Sequence, residues 1–250
     1  MKKNGPASTR VHCDHCPLRP LECFAPFSDE EAAFMPSFKS GEMEVDRGTA
    51  LLLEGSASAH LFTVLEGYAI RFVSLPEGRR QVVGFVFPGD FVGLQSAMLE
   101  EMHHSVEAAT RMRLCVFNRR DFNRLYRSCP DRGFDVTWLA AREERFLGDQ
   151  LATVGQRGAT ERVAFGLHRL HRRALAVGLA TRNRMDMPFT QQNLADALGL
   201  SLVHTNKTLR RLRDRGVVEW SNRTLKILDG EKLQELAGDD GTELRPRPLI

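Results

Sequence analysis

The chain of 250 residues is short of several things. No apolar run approaches the length that crosses a bilayer. The first ten residues, MKKNGPASTR, lack the apolar core of a secretory signal. Both absences predict a cytoplasmic protein without a membrane partner. Cysteine is scarce, at five residues, and in a cytoplasmic setting thiols stay reduced. Cysteines clustered in such a chain suggest metal rather than disulfides. Net charge is also small, a formal +3, but it is unevenly placed. Thr160 to Leu236 carries 14 Lys/Arg against 8 Asp/Glu, while the remainder carries 21 against 24. A positive field confined to that region suits phosphate binding. The length leaves room for one large or two ordinary domains.

The most informative stretch runs from Thr190 to Gly216, TQQNLADALGLSLVHTNKTLRRLRDRG. Leu194, Ala197 and Leu198 repeat at helical spacing after Thr190, a residue suited to N-capping. Gly199 stops this helix, because glycine enters the left-handed C-cap at least cost. Ser201 caps a second helix with Leu202, Thr205, Leu209 and Leu212 facing in. His204, Asn206, Lys207, Arg210, Arg211 and Arg213 face out, and Gly216 ends it. Two helices about a glycine turn, the second basic, describe a helix-turn-helix. Val217–Trp220 and Thr224–Leu228 then read as a hairpin wing about Ser221-Asn222-Arg223. A solvated amphipathic pair would also carry basic residues. It would not bring helix, glycine turn, basic helix and hairpin in that order. The residues expected to meet DNA are Thr190, Gln191, Ser201, Val203, His204, Asn206, Lys207, Arg210 and Arg211.

Near the start, VHCDHCPLRPLECFAPF places Cys13, Cys16 and Cys23 within eleven residues. That density is a metal-ligand pattern. Zinc or an iron–sulfur cluster would each want four thiolates, the fourth from Cys115 or Cys129. His12 and His15 are further possible zinc ligands.

From Asp29 a short amphipathic helix reaches Phe38. Short apolar runs punctuated by glycine follow: Ala50–Leu53, Leu61–Leu65, Ala69–Leu75, Gln81–Phe87, Phe91–Gly93, Ser105–Ala109 and Arg113–Phe117. They predict a small β-barrel or jelly roll, filled by Leu61, Val64, Phe72, Val83, Phe85 and Phe91. A short helix over Asn118–Tyr126 closes it, and Cys129-Pro130 breaks that helix. A long helix over Asp131–Val154 carries an apolar stripe of Trp138, Leu139, Phe146, Leu147, Leu151 and Val154. Its length and exposure suggest pairing with its twin in a homodimer. Residues 155–160 form a hinge, Glu161–Val177 a further helix, and Thr181–Asp186 a loop or strand leading on to Pro188. The organisation expected is a cysteine segment (1–28), a β-barrel sensor (29–130), a dimerisation helix (131–157) and a winged helix-turn-helix (158–237). The tail (238–250), acidic and then rich in Pro and Arg, is expected to be disordered. The fold class is α+β.

Barrel, long helix and winged helix-turn-helix, in this order, resemble the CRP/FNR family of bacterial transcription regulators. The resemblance covers nearly all of Cys13–Leu236. It is carried by VDRGTALLLEGSASAHLFTVLEGYAIRF, by GFVFPGDFVGLQSA and by the helix-turn-helix. It implies a sensor barrel, a dimerising helix and a domain that reads a palindromic operator on double-stranded DNA. Within the family the cysteines resemble the FNR branch, which holds an oxygen-labile [4Fe–4S] cluster. The resemblance assigns its ligands to Cys13, Cys16, Cys23 and Cys115, the last in RMRLCVFNRRDF, and leaves Cys129 a bystander. Two features depart from that branch: six residues rather than five separate Cys16 from Cys23, and Glu22 precedes Cys23 where an apolar residue is usual.

Cyclic AMP is not expected as a ligand. Relatives that bind it use a Gly-Glu-Leu turn and an Arg-Ser pair, and here those stretches are Gly93-Leu94-Gln95 and His104-Ser105. A buried cyclic phosphate would lack its guanidinium. The recognition helix also departs from the branch. Its Glu-x-x-Ser-Arg is Val203-His204-Thr205-Asn206-Lys207, so cytosine readout by a carboxylate is lost while Lys207 can reach guanine and Asn206 adenine. A dyad-symmetric operator with an altered half-site follows. The turn at Pro76–Arg80 is a candidate contact for RNA polymerase. An enzyme is not expected: jelly-roll oxygenases want a His/carboxylate triad, but adjacent His103 and His104 would point to opposite faces and His60 stands alone. A regulator of the same build without a cluster, sensing thiol oxidation or nitric oxide or holding structural zinc, is the alternative.

Overall fold

The computed structural model describes residues 12–239 and 245–250. Residues 1–11 and residues 240–244 of the tail lie outside the described residues. After a single turn at Cys13–His15, helix α1 (Asp29–Phe38) begins with a capping box, Ser28 and Glu31 each satisfying the other's backbone N–H.

The barrel is β1 (Lys39–Val45), β2 (Ala50–Leu52), β3 (His60–Glu66), β4 (Ala69–Ser74), β5 (Arg80–Val86), β6 (Phe91–Val92), β7 (Ser105–Ala108) and β8 (Met112–Asn118). A short helix α2 (Leu94–Leu99) lies between β6 and β7. Two antiparallel four-stranded sheets, β1-β8-β3-β6 and β2-β7-β4-β5, face each other as a jelly roll. The sequence reading had no strand at 39–45, because KSGEMEV alternates too weakly in polarity to be recognised.

Leu61 and Val64 are fully buried, and Phe72 is 9 % exposed, as expected of the interior. On β5 the expectation was one residue out. Val82 and Val86 point inward, while Val83 and Phe85 are only half-buried and face the other way. Strand side chains alternate, so a one-residue error reverses every assignment. The outer face of β5 is apolar too because the C-terminal domain covers it: Phe85 packs on Phe189 with ring centroids 4.5 Å apart.

Helix α3 (Phe122–Ser128) closes the barrel, and Cys129 separates it from α4 (Pro130–Gln156), with Pro130 in the first turn where its missing N–H costs nothing. The C-terminal domain is α5 (Ala159–Ala176), β9 (Ala180–Thr181), β10 (Arg184–Asp186), α6 (Gln191–Leu198), α7 (Leu202–Asp214), β11 (Val218–Ser221), β12 (Thr224–Ile227) and α8 (Gly230–Ala237). Its strands form one sheet, β11-β12-β10-β9, so the wing is four-stranded rather than a lone hairpin. No helix among the described residues is long and apolar enough to cross a membrane.

The tail corrects an expectation. Its last four residues are buried rather than solvated: Arg247 is 7 %, Leu249 3 % and Ile250 4 % exposed. Arg247 forms a parallel bridge with Phe24, and its side chain enters the barrel's edge. Arginine and proline marked this stretch as solvated, yet a buried carboxylate and a row of carbonyls receive the guanidinium.

Candidate nucleic-acid interface and cysteine site

Helix α6 starts at Thr190, whose hydroxyl accepts from the Asn193 N–H at 3.1 Å while the Asn193 side chain accepts from the Thr190 N–H at 2.9 Å. It ends at Gly199, at φ +63°, where a Cβ would also come within 3.2 Å of Val154. Ser201 caps α7 by accepting from the His204 N–H. Four residues hold α7 down: Thr205 and Leu212 at 0 %, Thr208 at 1 % and Leu209 at 7 % exposure. Thr208 was not expected among them; its hydroxyl donates to the His204 carbonyl at 2.9 Å, which lets a polar residue be buried. Leu202, expected to face in, is 37 % exposed.

The opposite face projects freely. Val203 is 79 % exposed, and His204, Asn206, Lys207, Arg210 and Arg211 are exposed beside it. Arg211 also reaches the Thr160 hydroxyl at 3.4 Å. Thr190 and Ser201 are exposed at the two helix starts, and Gln191 is half-buried. Helix N-termini carry unpaired N–H groups and a positive dipole end, so both helix starts suit phosphate oxygens. In the wing, Asn222 and Arg223 take φ of 48° and 60°, both in the left-handed region. That is the two-residue turn whose twist matches a hairpin. A short basic helix held only by its inner face, beside a wing, can lie in a major groove and present side chains to base edges.

The expected dimerisation stripe divides. Phe146 turns toward its own C-terminal domain, with the Arg169 guanidinium 3.8 Å from its ring centre, and Val154 packs at Gly199. Leu139 packs against the core and Trp138 is half-buried. Leu147 at 49 % and Leu151 at 75 % are open, and Phe134, not singled out from sequence, joins them at 70 %.

Family models match both halves of this architecture. The cyclic nucleotide-binding domain matches residues 42–129, and the Crp-like helix-turn-helix domain matches residues 161–236. The chain belongs to the CRP/FNR family of transcription regulators. It is 29 % identical over 228 residues to the nitrogen fixation regulation protein FixK of Bradyrhizobium diazoefficiens, covering 90 % of this chain and 93 % of that protein. It is 28 % identical over 232 residues to the transcriptional activator protein FnrL of Cereibacter sphaeroides, covering 91 % and 92 %. Among solved structures, FixK2 of Bradyrhizobium japonicum superposes with a TM-score of 0.71 at 24 % identity, over 78 % of this chain and 96 % of that one.

The thiols of this CRP/FNR regulator are unevenly gathered. Cys13, Cys16 and Cys23 are half-buried and Cys115 is buried on β8, between Glu42 of β1 and Thr63 of β3. Burial pushes the Cys115 thiol up to about 12; nearby Lys39 opposes this, and Cys16 and Cys13 add to it. Burial also raises Cys13, with Lys39 again opposing and Cys16 adding. Cys13 and Cys115 thus lie near one buried ion pair, Lys39 with Glu42 at 2.6 Å, and Cys16 lies near both of these thiols. Cys23 is different: burial raises it, and its charged neighbours are Arg247 and Arg142 rather than the other thiols. Among the described residues no three His, Cys, Asp or Glu side chains stand close enough to hold a metal ion. The donor set fits a four-thiolate group in kind, but the thiols are not gathered into one binding geometry. Metal binding would have to displace protons from the raised thiols of Cys13, Cys23 and Cys115.

The stretches Gly93-Leu94-Gln95 and His104-Ser105 are engaged within the barrel. Gln95 accepts from the His103 N–H at 3.0 Å, and the buried Ser105 hydroxyl accepts from the Glu54 N–H at 3.1 Å. Burial, with Arg71 adding, lowers His104 to about 4, so it is uncharged at neutral pH. Arg71 itself is committed to Glu143 at 2.7 Å and to the Phe91 carbonyl.

Sequence reasoning missed one cluster. Asp90 is 6 % exposed at the turn between β5 and β6 and meets Arg173 of α5 and, at 2.8 Å, Arg247 of the tail. Burial alone would raise its carboxyl, but Arg173 and Arg247 outweigh that and hold it well below the usual carboxylate range. Its neighbour Gly89 sits at φ +81°, and a Cβ there would strike Phe24. The only sequence signal was an aspartate directly after Pro88-Gly89, with both partners far away in the chain.

Proposed function

We propose that this chain is a homodimeric transcription regulator that reads a dyad-symmetric operator and answers to oxygen or redox state through Cys13, Cys16, Cys23 and Cys115. The observation that carries the DNA part is the exposed basic face of α7, fixed by Thr205, Thr208, Leu209 and Leu212. Lys207 would clamp guanine, Asn206 would read adenine and Val203 would touch a thymine methyl. Arg210, Arg211 and the starts of α6 and α7 would take phosphates, which set register and not sequence. Phe134, Leu147 and Leu151 would pair α4 with its twin. Two α7 helices would then stand about one DNA turn apart, ~34 Å. The exposed turn at Pro76–Gly78 is available to RNA polymerase.

The sensing part is supported by Cys13 and Cys16 lying near enough to the buried Cys115 to act on its charge. A sulfur-ligated iron cluster on these residues would supply chemistry that oxygen can dismantle. The chain's own residues do the rest: β8 anchors Cys115, and the 12–27 segment brings the other thiols to α1 and the barrel, beside the start of α4. The place of Cys23, against the tail, favours a second reading: a regulator of the same build without a cluster, answering to thiol oxidation or nitric oxide, or holding zinc.

Iron, sulfide and zinc measured on protein prepared without air, with its visible spectrum, separate the two. Iron with sulfide and a broad band near about 400 nm is the expected result; a colourless, iron-free protein overturns the cluster. Sedimentation of Phe134→Glu with Leu151→Glu should show monomer, and an unaltered dimer would sink the assigned α4 interface. Selection of binding sequences should return a half-site different from that usual for the FNR branch.

A further inference from the structure

The tail touches the Cys23 segment, the barrel and α4. Its backbone N–H at Arg247 donates to the Cys23 carbonyl at 2.9 Å, and its carbonyl accepts from the Ala25 N–H at 2.8 Å. The Arg247 guanidinium lies 4.7 Å from the Phe24 ring centre. From there it donates to the Gly89 and Pro88 carbonyls, each at 3.1 Å, and to Asp90. Farther along, the Leu249 carbonyl accepts from Arg132 of α4 at 2.7 Å, and the Ile250 carbonyl accepts from the Thr63 hydroxyl.

Asp90 is shared. One carboxylate oxygen takes Arg247, and the other takes Arg173 and the Phe87 N–H. Arg173 belongs to the first helix of the DNA-reading domain, donates to the Phe85 carbonyl at 2.5 Å and lies over the Phe87 ring. Cys23 and α5 are therefore joined through two arginines and one buried carboxylate. Each guanidinium holds one oxygen of the same rigid carboxylate, so a shift of either arginine re-aims the oxygen that the other binds, and the two placements are tied together by geometry.

We propose that residues 245–250 are a strap that registers the Cys23 segment on the barrel and couples it, through Arg247, Asp90 and Arg173, to the placement of the reading head. Loss of the strap frees Cys23 and alters operator affinity by the same route. The coupling to operator affinity rests on α7 reading DNA; the docking of the strap does not.

Amide exchange tests the docking on metal-free, reduced, full-length protein. In Arg247→Ala, exchange at Ala25 and its neighbours should quicken by roughly tenfold or more, as local opening demands, while β3 stays protected. Arg247→Lys keeps a cation beside Asp90 but loses the fork to the two carbonyls. It should fall between, and it stands in if Arg247→Ala opens the barrel. Unchanged exchange at Ala25 overturns the strap. Operator affinity in a cycle of Arg247→Ala with Arg173→Ala tests the coupling. The two losses should combine to less than their product by about threefold or more; losses that simply multiply overturn the route through Asp90. Failure of every form to bind any DNA would count against the reading head and leave the exchange result standing.

Discussion

The reading head takes its shape from residues close to it in sequence. Thr190 and Asn193 start α6, Gly199 ends it, Ser201 starts α7, and the hydroxyl that lets Thr208 be buried bonds one turn back. The cysteine face of the barrel is assembled from four distant pieces: residues 12–27, Lys39 and Glu42, Cys115, and residues 245–250. A motif of the first kind can be read from a short window. A site of the second kind appears only when the chain has folded. The two meet at Asp90, which binds one arginine from the tail and one from the head.

The largest effect should come from that meeting point. Asp90→Ala leaves two arginines facing each other in a buried site and should cost roughly 3–5 kcal/mol, seen as an earlier urea midpoint. A loss below about 1 kcal/mol would mean the pair is screened like a surface bridge, and the contrast between the regions would weaken. The next effect is confined to the head. Lys207→Ala should weaken operator binding by about 1–3 kcal/mol without moving the melting temperature. A drop in melting temperature would show that Lys207 is structural.

A third test uses acid. His104 titrates at about 4 in the fold against 6.5 ordinarily. Between those values the unfolded chain binds the extra proton, so stability falls as pH falls through this window. His104→Gln should flatten the decline by roughly 1–2 kcal/mol. Asp90 acts lower. Its contribution is complete above the ordinary 3.8 and is lost as pH drops below it. An unchanged slope in His104→Gln between pH 6.5 and 4 would remove His104 from the account. The smallest effect is a local one: Thr190→Ala should cost about 1 kcal/mol by removing the α6 cap, with exchange rising in α6 and not in the barrel.

Much of the architecture was legible in the sequence, and the legible parts share a cause. The long α4, the glycine between α6 and α7, and the strands at Leu61–Leu65 and Ala69–Leu75 have strong local periodicity or turn chemistry. β1 and the direction of β5 were missed because apolar residues occupy both faces of β5 and neither face of β1 clearly. The basic face of α7 was readable because an exposed helix face needs no partner. The spacing of the thiols suggested a group, but the charged neighbours of Cys23 are Arg247 and Arg142, and Arg247 comes from the tail. That tail looked solvated because Arg247 has no partner nearby in sequence; its carboxylate lies 157 positions away.

The most direct test of the account follows one preparation made without air, its operator affinity measured before and after exposure to oxygen alongside Cys115→Ser. The account predicts tight binding in the first state, weak binding after exposure, and weak binding by Cys115→Ser throughout. Operator affinity that is the same in all three samples would contradict it.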